Sequence, residues 1–238
     1  MRFHRSTLLV LALLGGCRGS DAPPTDAVAA VAEAAPVSRV ETTEEDARPV
    51  VVFLGTSLTA GLGLLDDEDT YVARVEELAD SAGLPMRAVN AGVSGETSAG
   101  GLRRVDWVLR EPLDVLFLEL GANDGLRGQD PGALAANLSD IIGRTRARYP
   151  EARVVIAGME APPNLGAAYT QAFRDVFARV AEEQRATLVP FLLEGVAGVP
   201  ELNQGDGIHP TAEGYRTVAR TVWSVLEPIL AELHVGRS

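Results

Sequence analysis

The chain has 238 residues, enough for one well-buried domain and too few for two comfortable ones. Hydrophobic residues make up 46% and charged residues 23%, ordinary values for a globular protein. The net charge is −12 and every basic residue is an arginine, which argues against a nucleic-acid partner and against electrostatic docking on anionic lipid.

Residues 1–16 read as a signal peptide. Arg2, His4 and Arg5 form a short basic stretch, and Leu8 to Leu14 an apolar core too short to span as a mature helix. Leu14-Gly15-Gly16-Cys17 closes it and resembles a bacterial lipobox, which implies cleavage before Cys17 and lipidation of its sulfur. The only cysteine in the chain is then an anchor, and no disulfide is available. An ordinary secretory signal with a chance cysteine is the alternative. Arg18 follows the cysteine, with no aspartate to suggest inner-membrane retention, so a lipid-anchored position in the bacterial cell envelope is expected, on the outer membrane where there are two. Residues 17–48, from the lipidated cysteine onward, are rich in Ala, Pro, Glu and Asp and carry no sustained apolar stripe. They read as a disordered tether with an r.m.s. reach of roughly 30 Å.

Residues 49–238 read as one domain. Val50 to Leu54 reads as a buried strand, Thr70 to Ala82 as a helix, Met86 to Asn90 as a strand and Leu102 to Arg110 as a helix. Val115 to Leu120, Val154 to Ala157 and Thr187 to Val189 continue the strands, with helices near Ala133 to Arg148, Ala167 to Arg185 and Ala212 to Leu233. Short β-branched runs alternating with longer helical stretches imply an α/β fold, with a parallel sheet covered on both faces. No internal repeat and no second domain are visible.

In such a sheet, ligands bind beyond the carboxyl ends of the strands. The first strand is followed by Gly55-Thr56-Ser57-Leu58, the second by Asn90 to Thr97, and the third by Gly121-Ala122-Asn123-Asp124-Gly125. Ser57 at a strand-to-helix turn can serve as a nucleophile if a base reaches it, or can simply cap the helix. Gly95 can offer an unobstructed N–H and Asn123 a side-chain amide, so that with the Ser57 N–H three donors would face an oxyanion; Gly and Asn are also ordinary turn residues. His4 lies in the signal peptide and His234 near the C-terminus, leaving His209 as the one histidine in the body of the domain suited to proton shuttling. It sits in Asp206-Gly207-Ile208-His209-Pro210, where Asp206 could accept from Nδ1 while Nε2 faces Ser57, or where the loop could merely start the last helix. With one central histidine and no free cysteine, the usual zinc and iron ligands are missing, and neither a metal nor a cofactor is expected.

Taken together, these blocks resemble the SGNH hydrolases of the GDSL family, most closely the branch of bacterial acyl-CoA thioesterase I/lysophospholipase L1 and related arylesterases. Leu54 to Gly61 resembles the family's first block and assigns the nucleophile to Ser57. Asn90 to Ser98 resembles the second and puts the oxyanion glycine on Gly95, while Gly121 to Gly128 resembles the third and puts the oxyanion amide on Asn123. Asp206 to Pro210 resembles the last and assigns acid and base to Asp206 and His209. The likeness covers roughly residues 49 to 230 and implies a flavodoxin-like three-layer fold with a five-stranded parallel sheet. It departs at Thr56, where the family has aspartate before the serine, and this puts the hydrogen bonding that positions the turn in question.

The resemblance implies hydrolysis of carboxylic esters (acyl, aryl, lysophospholipid), with thioesters as a further substrate class, through an acyl-enzyme on Ser57. A carbohydrate O-deacetylase of the same fold and a catalytically impaired surface binding module are the alternatives. The protein is expected to act as a monomer and to meet the membrane only through its N-terminal anchor. Leu62, Leu64, Leu65, Pro162, Pro163, Leu165 and the Phe191 to Pro200 segment are candidate apolar walls of the crevice, or else core. The run Asp66 to Asp69 reads as a solvated loop that would disfavour strongly anionic substrates if it rimmed the entrance.

Overall fold

A computed structural model describes residues 48–237. The expected signal peptide, Cys17 and the expected tether up to residue 47 lie outside the described residues. Five strands form one parallel sheet: β1 (Val50–Gly55), β2 (Arg87–Gly92), β3 (Val115–Glu119), β4 (Arg153–Ala157) and β5 (Thr187–Val189). Their order is β2-β1-β3-β4-β5, the flavodoxin-like arrangement. Val51 to Gly55 and all of β3 are buried, and their near-continuous apolar run is what burial on both faces requires.

Helices α2 (Tyr71–Ser81) and α7 (Ala212–Arg237) pack together. A second group is formed by α3 (Ser98–Val108), α5 (Pro131–Arg148) and α6 (Ala167–Glu183), and right-handed crossovers put the two groups on opposite faces of the sheet. The starts of α2 and α5 are written in the sequence. The Thr70 hydroxyl accepts from Ala73 N–H, and the Asp130 carboxylate accepts from Gly132 and Ala133 N–H ahead of a helix opened by Pro131. An aromatic cluster joins sheet to helices: the Phe53 and Phe117 rings lie 5.2 Å apart, Tyr71 stands edge-on to Phe53 at 5.8 Å, and Tyr215 stacks on Tyr71 at 6.4 Å.

Three differences from the sequence reading lie at strand ends and in the segments that follow them. Strands β1 and β2 run on to Gly55 and Gly92, which pair with each other. Helix α3 begins at Ser98 instead of Leu102, because the buried Asp124 carboxylate accepts from both Ser98 N–H and its hydroxyl, holding a start that Ala99-Gly100-Gly101 would not favour by itself. Short helices α1 (Ser57–Ala60) and α4 (Ala122–Leu126) stand where plain turns were expected.

Phe117 is fully buried in the central strand against Phe53 and Tyr71. Phe117→Ala is expected to lower unfolding free energy by about 3–5 kcal/mol in urea titration.

Candidate active site

Between β2 and β3 the chain reverses its direction of travel across the sheet, and β1 ends at that reversal. Loops leaving neighbouring strand ends diverge there and open a crevice. Ser57 is the first residue of α1, separated from β1 only by Thr56, and the N–H groups of a first helical turn have no intrahelical carbonyl to bond. Its Oγ lies 2.8 Å from His209 Nε2, and His209 Nδ1 lies 2.6 Å from Asp206 Oδ2. A carboxylate facing a ring nitrogen can only accept, so the ring proton sits on Nδ1 and the Nε2 lone pair points at the serine hydroxyl.

The Asp206 to Pro210 loop carries its own scaffolding. Asp206 Oδ1 accepts from the backbone N–H of Ile208 and His209, and Gly207 takes a positive φ of 69° at the turn. The imidazole N–H first, and then these two backbone donors, hold the Asp206 carboxyl down to about 2. The Asp206 side chain is 47% exposed against 14% for His209, so water solvates the carboxylate while the imidazole faces inward. Gln204 ties the loop to the wall opposite: its backbone N–H donates to His209 C=O, and its side-chain amide donates to both Pro210 C=O and Leu62 C=O.

Gly95 and Asn123 line the same cavity as Ser57 and His209. Gly95 has a φ of +78°, which a side chain would strain, and its C=O accepts from the Arg127 guanidinium. One Asn123 amide hydrogen goes to Glu96 C=O at 3.0 Å, leaving the other for a ligand. Arg104 braces this loop from behind. It pairs with Glu96 at 2.6 Å and also donates to Ala91 C=O and Gly55 C=O, so one guanidinium joins the ends of β1 and β2 to the Gly95 turn.

The cavity holds about 500 Å³, and its walls are mainly apolar. Leu62, Pro162, Pro163 and, from the 191–200 segment, Phe191, Leu193, Ala197 and Gly198 line it as expected. Leu64, Leu65 and Leu165 do not. Leu64 packs against the core, Leu65 is fully solvent-exposed, and Leu165 is exposed outside the pocket. Met159 and Leu58 supply apolar surface instead. None of Asp66 to Asp69 lines the cavity; Asp66 caps a short 3₁₀ turn and Asp69 pairs with Arg74, leaving the run a solvated loop.

The sequence profile of the GDSL-like lipase/acylhydrolase family matches residues 53–217. The chain belongs to this family. Esterase TesA of Pseudomonas aeruginosa is 41% identical over 189 residues, covering 79% of this chain and 92% of that protein. Thioesterase 1/protease 1/lysophospholipase L1 of Escherichia coli K12 is 33% identical over 186 residues, covering 77% and 86%. Among solved structures, the SGNH-hydrolase family esterase AlinE4 superposes with a TM-score of 0.64 at 40% identity, over 78% of this chain and 96% of that one. This GDSL-family chain is a serine esterase, a carboxylic-ester hydrolase on a five-stranded α/β sheet.

Arg104, Gln204 and Glu119 of this GDSL-family site escaped the sequence reading altogether. Glu119 ends β3, is fully buried, and accepts from Thr56 and Thr59 on either side of Ser57. Its signal was a single charge closing an otherwise apolar strand, Val115-Leu116-Phe117-Leu118-Glu119. Burial raises its carboxyl from the ordinary 4.5 to about 7, against the opposing pull of the threonine donors. The folded protein therefore binds more protons than the unfolded chain between these values, and stability falls as pH rises through that window. The full cost above pH 7 is on the order of 3 kcal/mol. Glu119→Gln removes this dependence, so its stability relative to the parent should climb between pH 4.5 and pH 8 in denaturant titrations; a pH-independent difference would contradict the assignment.

Proposed function

We propose that Ser57, His209 and Asp206 are the nucleophile, base and acid of this esterase, and that the Ser57 and Gly95 N–H groups with the Asn123 amide hold the oxyanion. The observation that carries the reading is the unbroken hydrogen-bonded chain Asp206–His209–Ser57 opening onto an apolar cavity. Ser57 Oγ bonds to the substrate carbonyl carbon as its proton passes to His209 Nε2, and Asp206 stabilises the imidazolium. The tetrahedral intermediate collapses, the leaving alkoxide or thiolate takes the proton from His209, and the acyl group stays on Ser57. Water then loses a proton to His209 and attacks the acyl carbonyl. The carboxylic acid departs and the Ser57 hydroxyl is restored.

The cavity walls support neutral esters with an apolar acyl or aryl group as substrates, since Leu62, Phe191 and Met159 offer methylene and ring surface and few groups able to pair with sugar hydroxyls. At the N-terminus, Leu14-Gly15-Gly16-Cys17 supports lipidation of Cys17 and a place in the cell envelope.

Ser57→Ala should abolish hydrolysis of p-nitrophenyl butyrate and labelling by a fluorophosphonate. Asn123→Ala should lower kcat on the order of 10²-fold with the fold intact by circular dichroism. Unchanged turnover in Ser57→Ala would remove that residue from the mechanism. For the anchor, mass spectrometry of the mature protein from a bacterial host should find a diacylglyceryl Cys17 at the N-terminus, and an unmodified cysteine would refute it.

A further inference from the structure

We propose that Glu119 is the positioning residue of the nucleophile, a buried acceptor on β3 that fixes the Thr56-Ser57-Leu58-Thr59 turn so that Ser57 Oγ meets His209 Nε2. The inference rests on Ser57 being the nucleophile. Four donors from the two residues that bracket the serine turn converge on one carboxylate: Thr56 N–H at 2.7 Å, Thr56 Oγ at 3.0 Å, Thr59 N–H at 3.2 Å and Thr59 Oγ at 2.8 Å. The Thr59 hydroxyl is also 2.7 Å from Tyr71 OH, which ties the arrangement to α2.

Little else in the turn performs this task. Helix α1 is one turn long, and Thr56 makes no side-chain cap bond to it, its hydroxyl being given to Glu119. The departure from the family pattern at Thr56 thus has a structural counterpart: the residue before the serine reaches a carboxylate instead of supplying one. Gly55 clears the way. A Cβ there would lie 2.6 Å from Glu119 Oε2 and would overlap the Thr59 hydroxyl. The carboxylate stands four positions before Asn123 on the same strand-to-helix path, so β3 carries both the support for the nucleophile and one donor for the oxyanion.

The cost of keeping this group buried separates positioning from packing. An apolar side chain would fill the same space without desolvating a carboxylate, and would leave two backbone N–H groups and the Thr56 hydroxyl without an acceptor, while the Thr59 hydroxyl would keep Tyr71 OH. A glutamine would keep one oxygen for the two backbone N–H groups and the Thr59 hydroxyl, and its amide could donate to the Thr56 hydroxyl, which meets both carboxylate oxygens.

The test uses the full chain and kcat per active site, with sites counted by exhaustive fluorophosphonate labelling so that misfolded protein is not scored. Glu119→Met should lower kcat for p-nitrophenyl butyrate about 10- to 100-fold with KM within about twofold, because a displaced nucleophile loses rate and not binding. Glu119→Gln should recover activity to within about threefold of the parent. Thr59→Val, which deletes one donor with little change of volume, should lower kcat severalfold and decides the matter if Glu119→Met does not fold. Parental kcat per labelled site in Glu119→Met, or in Thr59→Val where the methionine variant fails to fold, overturns the inference. So does a glutamine variant as impaired as methionine, which would make charge and not position the cause. Ser57→Ala runs alongside: if it still labels and turns over, the nucleophile assignment has failed instead.

Discussion

Strand β1 is hydrogen-bonded to β2 along one edge and to β3 along the other, and the register of both pairings brings Gly55, Gly92 and Glu119 level with one another. Because all three strands run the same way, their carboxyl ends share one side of the sheet, and the loops that leave them must meet there. Those loops bring Ser57, the Gly95 turn and Asn123 to a common edge. The active crevice is therefore a consequence of sheet order. Only Asp206 and His209 come from elsewhere, on a loop that β5 and the turns after it deliver to the same side just before α7 begins.

Holding such a crevice open requires polar groups in places where a protein core would prefer methyls. Three of them do comparable work at different depths. Arg104 gathers carbonyls from two strand ends and a carboxylate from the Gly95 turn, Asp124 gathers donors from the start of α3, and Glu119 gathers them from both sides of Ser57. Each is multiply bonded, as a buried or half-buried charge must be. Glu119 receives only neutral donors, and burial outweighs them and raises its carboxyl to about 7.

Much of this was legible in the sequence, and the reasons are local. Runs such as Val50 to Leu54 and Val115 to Leu120 have the length and composition of doubly covered strands, and the glycine-containing loops after them hold the residues now facing the cavity. The Asp206 and His209 pairing followed from spacing within one turn. Other features depend on contacts distant in sequence and left weaker traces. Helices α1 and α4 are too short for periodicity to register, and the first turn of α3 relies on Asp124, 26 positions away. Among Leu62, Leu64 and Leu65, alike in type and close in sequence, one lines the cavity, one enters the core and one faces water. Hydrophobicity does not tell these apart in a loop with no fixed period. Glu119 was visible as an oddity, but its partners are 60 and 63 residues earlier, and nothing in the strand itself names them.

The Gln204 amide bridges Leu62 C=O and Pro210 C=O, and the backbone of the same residue holds His209 C=O. One rim of the cavity and the segment bearing His209 are thus joined through a single residue, like two jaws sharing a rivet. Any acyl group bulky enough to push Leu62 outward would pull on the histidine as well. An ill-fitting acyl group would then be expected to disturb the contact of His209 with Ser57 as well as its own fit in the cavity.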